Sequence, residues 1–415
     1  MNPETPSVIR SGKYLLLPGL ASAHSHAFQR ALRARTQRAA SGAGSFWTWR
    51  GLMYALVEQL DPQSIFDISR FTFIELALSG VTAVGEFHYM HHDKDGTPYA
   101  NRTELAQAVI RAAQEAGVRI TLIRTAYFRG GYGQALTPAQ RRFCDAGVDE
   151  VLKDVEALSK QFADDPTVNI ALAAHSIRAV PGEQVVELAA YAREHRMPFH
   201  MHVAEQRREI EGCLKEYDRR PLALLAELGV LDERFVAVHA THLIPEEIEA
   251  LGRAAATVCV CRTTERDLGD GLPQAAELVQ AGARLCVGAD SHAGPDAFEE
   301  VRAVELDDRS RTELRTVAAE APLLLQAATQ NGYEAIGMKQ AWSQDCVYLN
   351  ANDPALVMTD DDFLTDAVVF GATPRAVERV TVAGRTIVEE GRHAGYENAL
   401  KGYRTALKKL VMRQG

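Results

Sequence analysis

PFHMHVAEQRREIEGCLKEYDRRPLALLAELGVLDERFVAVHATH, residues 198–242, holds two short apolar runs separated by a longer helix-period segment. Phe199–Val203 and Phe235–His239 read as buried strands, and strand–helix–strand is the pattern of parallel strands joined by covering helices. The same alternation continues in both directions. Further candidate strands are Leu20–His24, Val81–Phe87, Arg119–Ala126 and Asn169–Ala174 upstream, and Thr257–Cys261 and Arg284–Ala289 downstream. Eight such strands close a (β/α)8 TIM-like barrel. Between them, Val151, Leu152, Val155, Leu158 and Phe162 recur at helical spacing with charge on the other face. Pro181-Gly182-Glu183 and Pro245-Glu246-Glu247 each open a helix with acid in the first turn, as the helix dipole prefers. The G-x-G-x-x-G fingerprint of an open dinucleotide-binding sheet is absent, which favours the barrel.

The chain has 415 residues, 47% hydrophobic and 24% charged, enough for one large barrel and an accessory domain. The pattern predicts a barrel over residues 18–338. The termini, 1–17 and 339–415, would form a small β-sandwich-like accessory domain with a C-terminal helix. After Met338 the strand candidates are short: Cys346–Leu349, Ala367–Phe370, and a hairpin of Arg379–Val382 with Arg385–Val388 about Ala383-Gly384. Tyr403–Met412 reads as a short basic amphipathic helix, better suited to docking on its own domain than to a membrane surface. More than fifty residues separate the first two strands, among them Ser45-Phe46-Trp47-Thr48-Trp49-Arg50; in a barrel, the connections after strands line the catalytic mouth.

A formal charge of −10 argues against a nucleic-acid partner. No stretch approaches the ~18 uninterrupted apolar residues of a membrane span. The start, MNPETPSVIR, lacks the apolar core of a secretory signal, so the expected compartment is the cytoplasm. The six Cys are scattered without a C-x-x-C and read as buried thiols.

Chemistry gathers at the strand ends. His24 and His26 are two residues apart at the end of the first strand, so both imidazoles point to one side. His200 and His202 share a face of the fifth strand; His202, nearer the mouth, is the better ligand, and Glu205 follows at the distance of a carboxylate beside a metal-bound water. His239 ends the sixth strand and Asp290 follows the eighth. A barrel brings these ends around one axis, and imidazole with carboxylate is a donor set suited to zinc. The fourth strand ends Ala173-Ala174-His175-Ser176, with no Lys to bridge two metals, so one ion is the simpler expectation. One divalent ion lowers the pKa of the water it binds toward ~7.

These motifs resemble the amidohydrolase superfamily and, within its mononuclear deaminase branch, the formimidoylglutamate deiminases. The resemblance rests on LLLPGLASAHSHAFQRAL, SFWTWRGLMY, GEFHYMHH, AAHSIRAVP, HMHVAEQRREIEGC, RRPLALL, AVHATHL, TTERDLGDG and VGADSH, with VAGRTIVEEGRHAG near the C-terminus. It implies one Zn2+ per subunit on His24, His26, His202 and Asp290, with Glu205, His239 and Asp290 catalytic. It implies a substrate pocket of Gln29, Arg50, Tyr89, His175 and Arg178. The implied reaction is hydrolysis of N-formimino-L-glutamate to N-formyl-L-glutamate and ammonia in histidine degradation, by a homodimer whose partner is a small dicarboxylate. Two arginines with Tyr and Gln donors suit a dicarboxylate. A guanine-like heterocycle as substrate, or a non-catalytic scaffold, are the competing readings. Two positions depart from the family: Ala289 stands where Ser is common, removing a hydroxyl near the substrate, and Arg262 adds a charge expected at the seventh strand's mouth. His88, His91, His92 and His292 receive no role.

Overall fold

The computed structural model describes residues 6–38 and 44–410. Its centre is eight parallel strands: β3 (Leu20–Ser25), β4 (Val81–His88), β5 (Arg119–Ala126), β6 (Val168–Ala174), β7 (Phe199–Val203), β8 (Phe235–His239), β9 (Thr257–Val260) and β10 (Arg284–Val287). They pair in chain order, β3 through β10. All eight expected strands are present, with ends shifted by one or two residues. Most read as largely apolar runs because both faces are buried, one by the barrel interior and one by the helices; β5 (RITLIRTA) departs from this, its buried Arg119 and Arg124 being ion-paired. The ring is drawn shut between its first and last strands by a parallel bridge from Ser25 to Asp290. Asp290 N donates to His24 O at 3.0 Å, and His26 N donates to Asp290 O at 2.9 Å. The closing seam therefore lies between residues expected to carry the chemistry.

A second, antiparallel sheet is built from the chain ends. Its order is β1 (Ile9–Ser11), β2 (Tyr14–Pro18), β11 (Cys346–Asn350), β12 (Val377–Val382) and β13 (Arg385–Glu389). The expected hairpin about Ala383-Gly384 is present as β12–β13. Ala367–Phe370 is not a strand; it lies in the helix Leu364–Gly371. Leu364, Val368 and Val369 are buried at helical spacing, and a four-residue apolar run cannot by itself distinguish a strand from a buried helix. The C-terminal helix runs Tyr396–Lys409, beginning seven residues before the expected start; Met412 lies outside the described residues. It docks on the helix Pro62–Leu78, where the rings of Tyr403 and Phe71 stack at 4.6 Å.

The end of the barrel opposite the chemistry is plugged by the helix Gln330–Ala335 and the turn after it. Ile336 O accepts from Thr121 Oγ1 (2.6 Å) and Asn169 Nδ2 (3.0 Å), and Ala335 O pairs with His200 Nε2 at 2.8 Å. Beneath the plug, fully buried Asp345 accepts from Arg119 (2.8 and 3.0 Å), Tyr333 OH (2.6 Å) and Ala383 N (2.8 Å). One carboxylate thus ties barrel, plug and accessory sheet together. Asp345→Ala would strand the buried Arg119 guanidinium, and breaking such a pair costs about 3–5 kcal/mol. Urea unfolding is expected to show a free energy lowered by that amount, read as a lower midpoint with an unchanged slope.

Candidate active site

At the mouth, the strand ends turn sharply. Ala204, His239, Ala240, Asp290 and His292 all have positive φ, between 43° and 69°. Non-glycine residues in the left-handed region are uncommon and collect where function requires a particular side-chain direction. Here the turns aim one group after another at a single point.

His24, His26 and His202 each offer a ring nitrogen, and these nitrogens lie within 4.8 Å of one another. His24 and His202 approach Nε2 to Nε2 at 3.2 Å. Asp290 Oδ1 stands 3.4 Å from both His24 Nε2 and His26 Nε2. The outer nitrogens fix the tautomers: His26 Nδ1 donates to Phe87 O, and His202 Nδ1 to His175 O, each at 2.9 Å. Their Nε2 lone pairs therefore point inward. Burial, reinforced by neighbouring His24, lowers His26 to about 3. Burial likewise holds His24 and His202 well below the ordinary histidine range, aided most by His239 and His24 respectively. Neutral imidazoles with lone pairs converging beside a carboxylate repel each other unless a cation sits among them, so the donor set fits a divalent metal.

His239 faces this centre from the side. Its Nε2 is 3.8 Å from both Asp290 Oδ2 and Glu205 Oε1, and its Nδ1 is 3.3 Å from Glu265 Oε1. Burial disfavours the charged ring, but Glu205, Glu265 and Asp290 outweigh it and raise His239 to about 10. Burial pushes Glu205 up, opposed chiefly by His239.

A pocket of about 520 Å³ opens above the centre. All five residues expected in the substrate pocket line it: Gln29, Arg50, Tyr89, His175 and Arg178. Gln29 Nε2 donates to Tyr89 OH at 3.0 Å, leaving Gln29 Oε1 buried without a partner. Arg178 is 8% exposed and its Nε has no hydrogen-bond partner. Its loop is pinned by Arg129, which donates to Arg178 O (3.0 Å) and Ile177 O (2.9 Å). Arg50 comes from the second turn of the helix Phe46–Val57 and not from a strand end; its guanidinium lies 4.9 Å from the Tyr54 ring centroid and 5.4 Å from that of Trp47. The long first connection is thus largely helical; Phe46 and Trp49 of its aromatic run line the pocket as expected of that connection, and Met53 and Tyr54 from the next turn add to the apolar wall.

Two expectations fail. The Arg262 guanidinium is fully buried outside the pocket, donating to Pro273 O at 3.2 Å and standing 3.7 Å from Glu265 and Asp307. Helix Arg262–Leu268 starts immediately after β9 and turns that side chain away from the mouth. Ala289 also faces away, lining a separate apolar cavity beside Glu300, because neighbouring residues at a strand end point to opposite sides. Of the alternatives in β7, His200 belongs to the plug, as above. His292 Nε2 meets Ser25 Oγ at 2.9 Å, behind the His24 and His26 strand end.

The acids supporting the site were not legible. Glu86 accepts from Ser25 Oγ (2.5 Å) and Ala27 N (2.8 Å), gripping the chain on both sides of His26. Glu265 is held by Cys261 N at 2.8 Å and sets the direction of His239. Glu209 accepts from Glu205 N at 3.2 Å. Each sits within a stretch that carries the family resemblance, Glu86 in GEFHYMHH, Glu209 in HMHVAEQRREIEGC and Glu265 in TTERDLGDG, but nothing in its spacing linked it to its partner.

The family model described as "Amidohydrolase family" matches residues 15–387. Formimidoylglutamate deiminase of Pseudomonas aeruginosa is 37% identical over 408 residues, spanning 95% of this chain and 89% of its own. Among solved structures, an amidohydrolase from Brucella melitensis matches with a TM-score of 0.89 at 30% identity, covering 98% of this chain and 96% of that one. An adenosine deaminase from Xanthomonas campestris with bound zinc matches at 0.81 and 22% identity, over 96% of this chain and 86% of that one, a likeness of fold alone.

Proposed function

The chain belongs to the amidohydrolase family and is a hydrolase acting on C–N bonds, and from that premise we propose that it converts N-formimino-L-glutamate to N-formyl-L-glutamate and ammonia, a step of histidine breakdown. The observation that carries the substrate class is Arg178, a buried guanidinium with no carboxylate oxygen within 4 Å among the described residues, facing a pocket that also receives Arg50. A buried cation so placed calls for an anion, and a formimino dicarboxylate has one for each arginine. A neutral heterocycle would leave both unpaired.

In this reading His24, His26, His202 and Asp290 hold one ion, for which three imidazoles and a carboxylate select zinc. Bound there, the ion would act as a Lewis acid and make water nucleophilic at neutral pH. Arg50 and Arg178 clamp the carboxylates, and Gln29 and Tyr89 place the formimino group. Glu205 takes a proton from the attacking water as its oxygen bonds to the formimino carbon, then delivers it to the departing nitrogen. His239, oriented by Glu265, donates toward the oxygen where negative charge develops. Asp290 accepts the remaining hydroxyl proton as the formyl carbonyl forms, that second proton passes to the same nitrogen, the carbon–nitrogen bond breaks, and ammonia leaves.

Ammonia release from N-formimino-L-glutamate, with purines and 8-oxoguanine run in parallel, tests the proposal. Turnover of formiminoglutamate alone is expected. Arg178→Met should cost about 100-fold or more in kcat/KM, the scale for removing one partner of a buried charge pair. Release from a purine in preference to formiminoglutamate, or an indifferent Arg178→Met, would overturn it.

A further inference from the structure

Outside the inner pocket lies a wider cavity of about 890 Å³ that shares Arg50, Tyr54 and Arg178 with it. Trp47, Tyr132 and the exposed Arg208 are among the residues that form the rest of its wall. The Arg208 guanidinium stands 4.7 Å from the Trp47 ring centroid, and Arg50 stands 5.4 Å from the same ring. Two guanidinium groups therefore lie against one indole ring, which attracts each through its π system.

Among the described residues, none of Arg50, Arg178 and Arg208 has a carboxylate oxygen within 4 Å, whereas nearby Arg129 and Arg220 pair with Glu216 and Glu247. The cavity does hold one acid, Glu209, whose Oε2 is engaged by Glu205 N at 3.2 Å. Burial pushes Glu209 up to about 7, so it opposes an incoming anion only in part. The chain as a whole carries −10. A dianion approaches such a surface against repulsion, and a local cationic funnel raises its capture rate.

We propose that this outer cavity is a carboxylate-receiving antechamber, in which Arg208, lying on Trp47, engages the arriving dicarboxylate and passes it inward to Arg50 and Arg178. This rests on the substrate reading above. Arg208 is then a residue of capture and not of chemistry, and its effect is confined to the encounter.

The test is kcat and kcat/KM for formiminoglutamate across ionic strength, in wild type, Arg208→Gln and Arg208→Lys. The Gln variant is expected to lose about 5-fold in kcat/KM at low salt and to flatten its salt dependence, with kcat within 2-fold of wild type; Lys restores both. Unchanged kcat/KM in the Gln variant overturns the proposal. So does a fall in kcat that Lys does not rescue, since that marks a merely structural prop for Trp47. If the wild-type enzyme does not turn over formiminoglutamate, the substrate reading fails separately. Calorimetric binding of glutarate to wild type and Arg208→Gln, at low and high salt, then decides the antechamber alone: equal affinities overturn it, and a salt-sensitive loss in the variant supports it.

Discussion

Glu205→Gln is expected to lower kcat about 10²–10⁴-fold while the protein keeps its metal, the range for losing a positioned acid–base group. Glu205 lies on the turn after β7, where Ala204 at φ 51° swings the chain across the mouth. Its Oε1 is 3.8 Å from His239 Nε2, yet it does not belong to the group of ring nitrogens formed by His24, His26 and His202. The amide keeps the size of the side chain and removes its capacity to accept a proton. Elemental analysis should therefore return one metal per chain in wild type and variant alike. KM should move little, because in the proposed reading the substrate's carboxylates are held by Arg50 and Arg178. Equal losses in kcat and kcat/KM place the effect in the transition state. A variant with near-normal turnover removes Glu205 from the reaction.

The barrel was legible because most of its strands, buried on both faces, are largely apolar, so the polar residues gathered where they emerge at the mouth stand out. That same rule exposed His24, His26, His202, His239 and Asp290, since a polar residue at the end of an apolar run requires an explanation. The supporting acids follow no such rule. Glu86 lies inside β4, Glu209 and Glu265 on helices among other charges; Glu86 and Glu265 become meaningful only through partners distant in sequence, and Glu209 only through the turn that brings the Glu205 N–H onto it. Glu86 reaches Ser25 across sixty-one residues, and Glu265 reaches His239 across twenty-six. Arg262 failed in the opposite sense. Its position after a strand suggested the mouth, but the helix that begins there sets side-chain direction by its own period, which the strand rule does not describe. Leu364–Gly371 failed because its apolar residues are too few to display a helical period.

Asp290→Asn is expected to abolish metal retention and, with it, at least 10³-fold of the activity, a loss of about 4 kcal/mol in transition-state stabilisation. Two demands meet at this residue. Its backbone closes the barrel, donating to His24 O and accepting from His26 N, at a φ of 43°. Its carboxylate stands 3.4 Å from two of the three imidazoles and supplies the only negative charge among the four proposed ligands. Asn tolerates the left-handed backbone better than Ala and keeps the shape, so the seam should survive while the charge is lost. Wild-type protein stripped with a chelator should melt at a lower temperature than metal-loaded protein, since a ligand that binds only the native state stabilises it. In Asp290→Asn that difference should vanish, with the melting temperature lying near that of the stripped wild type. A variant that instead retains a full complement of metal would show that the three imidazoles suffice, and Asp290 would then act on the proton alone.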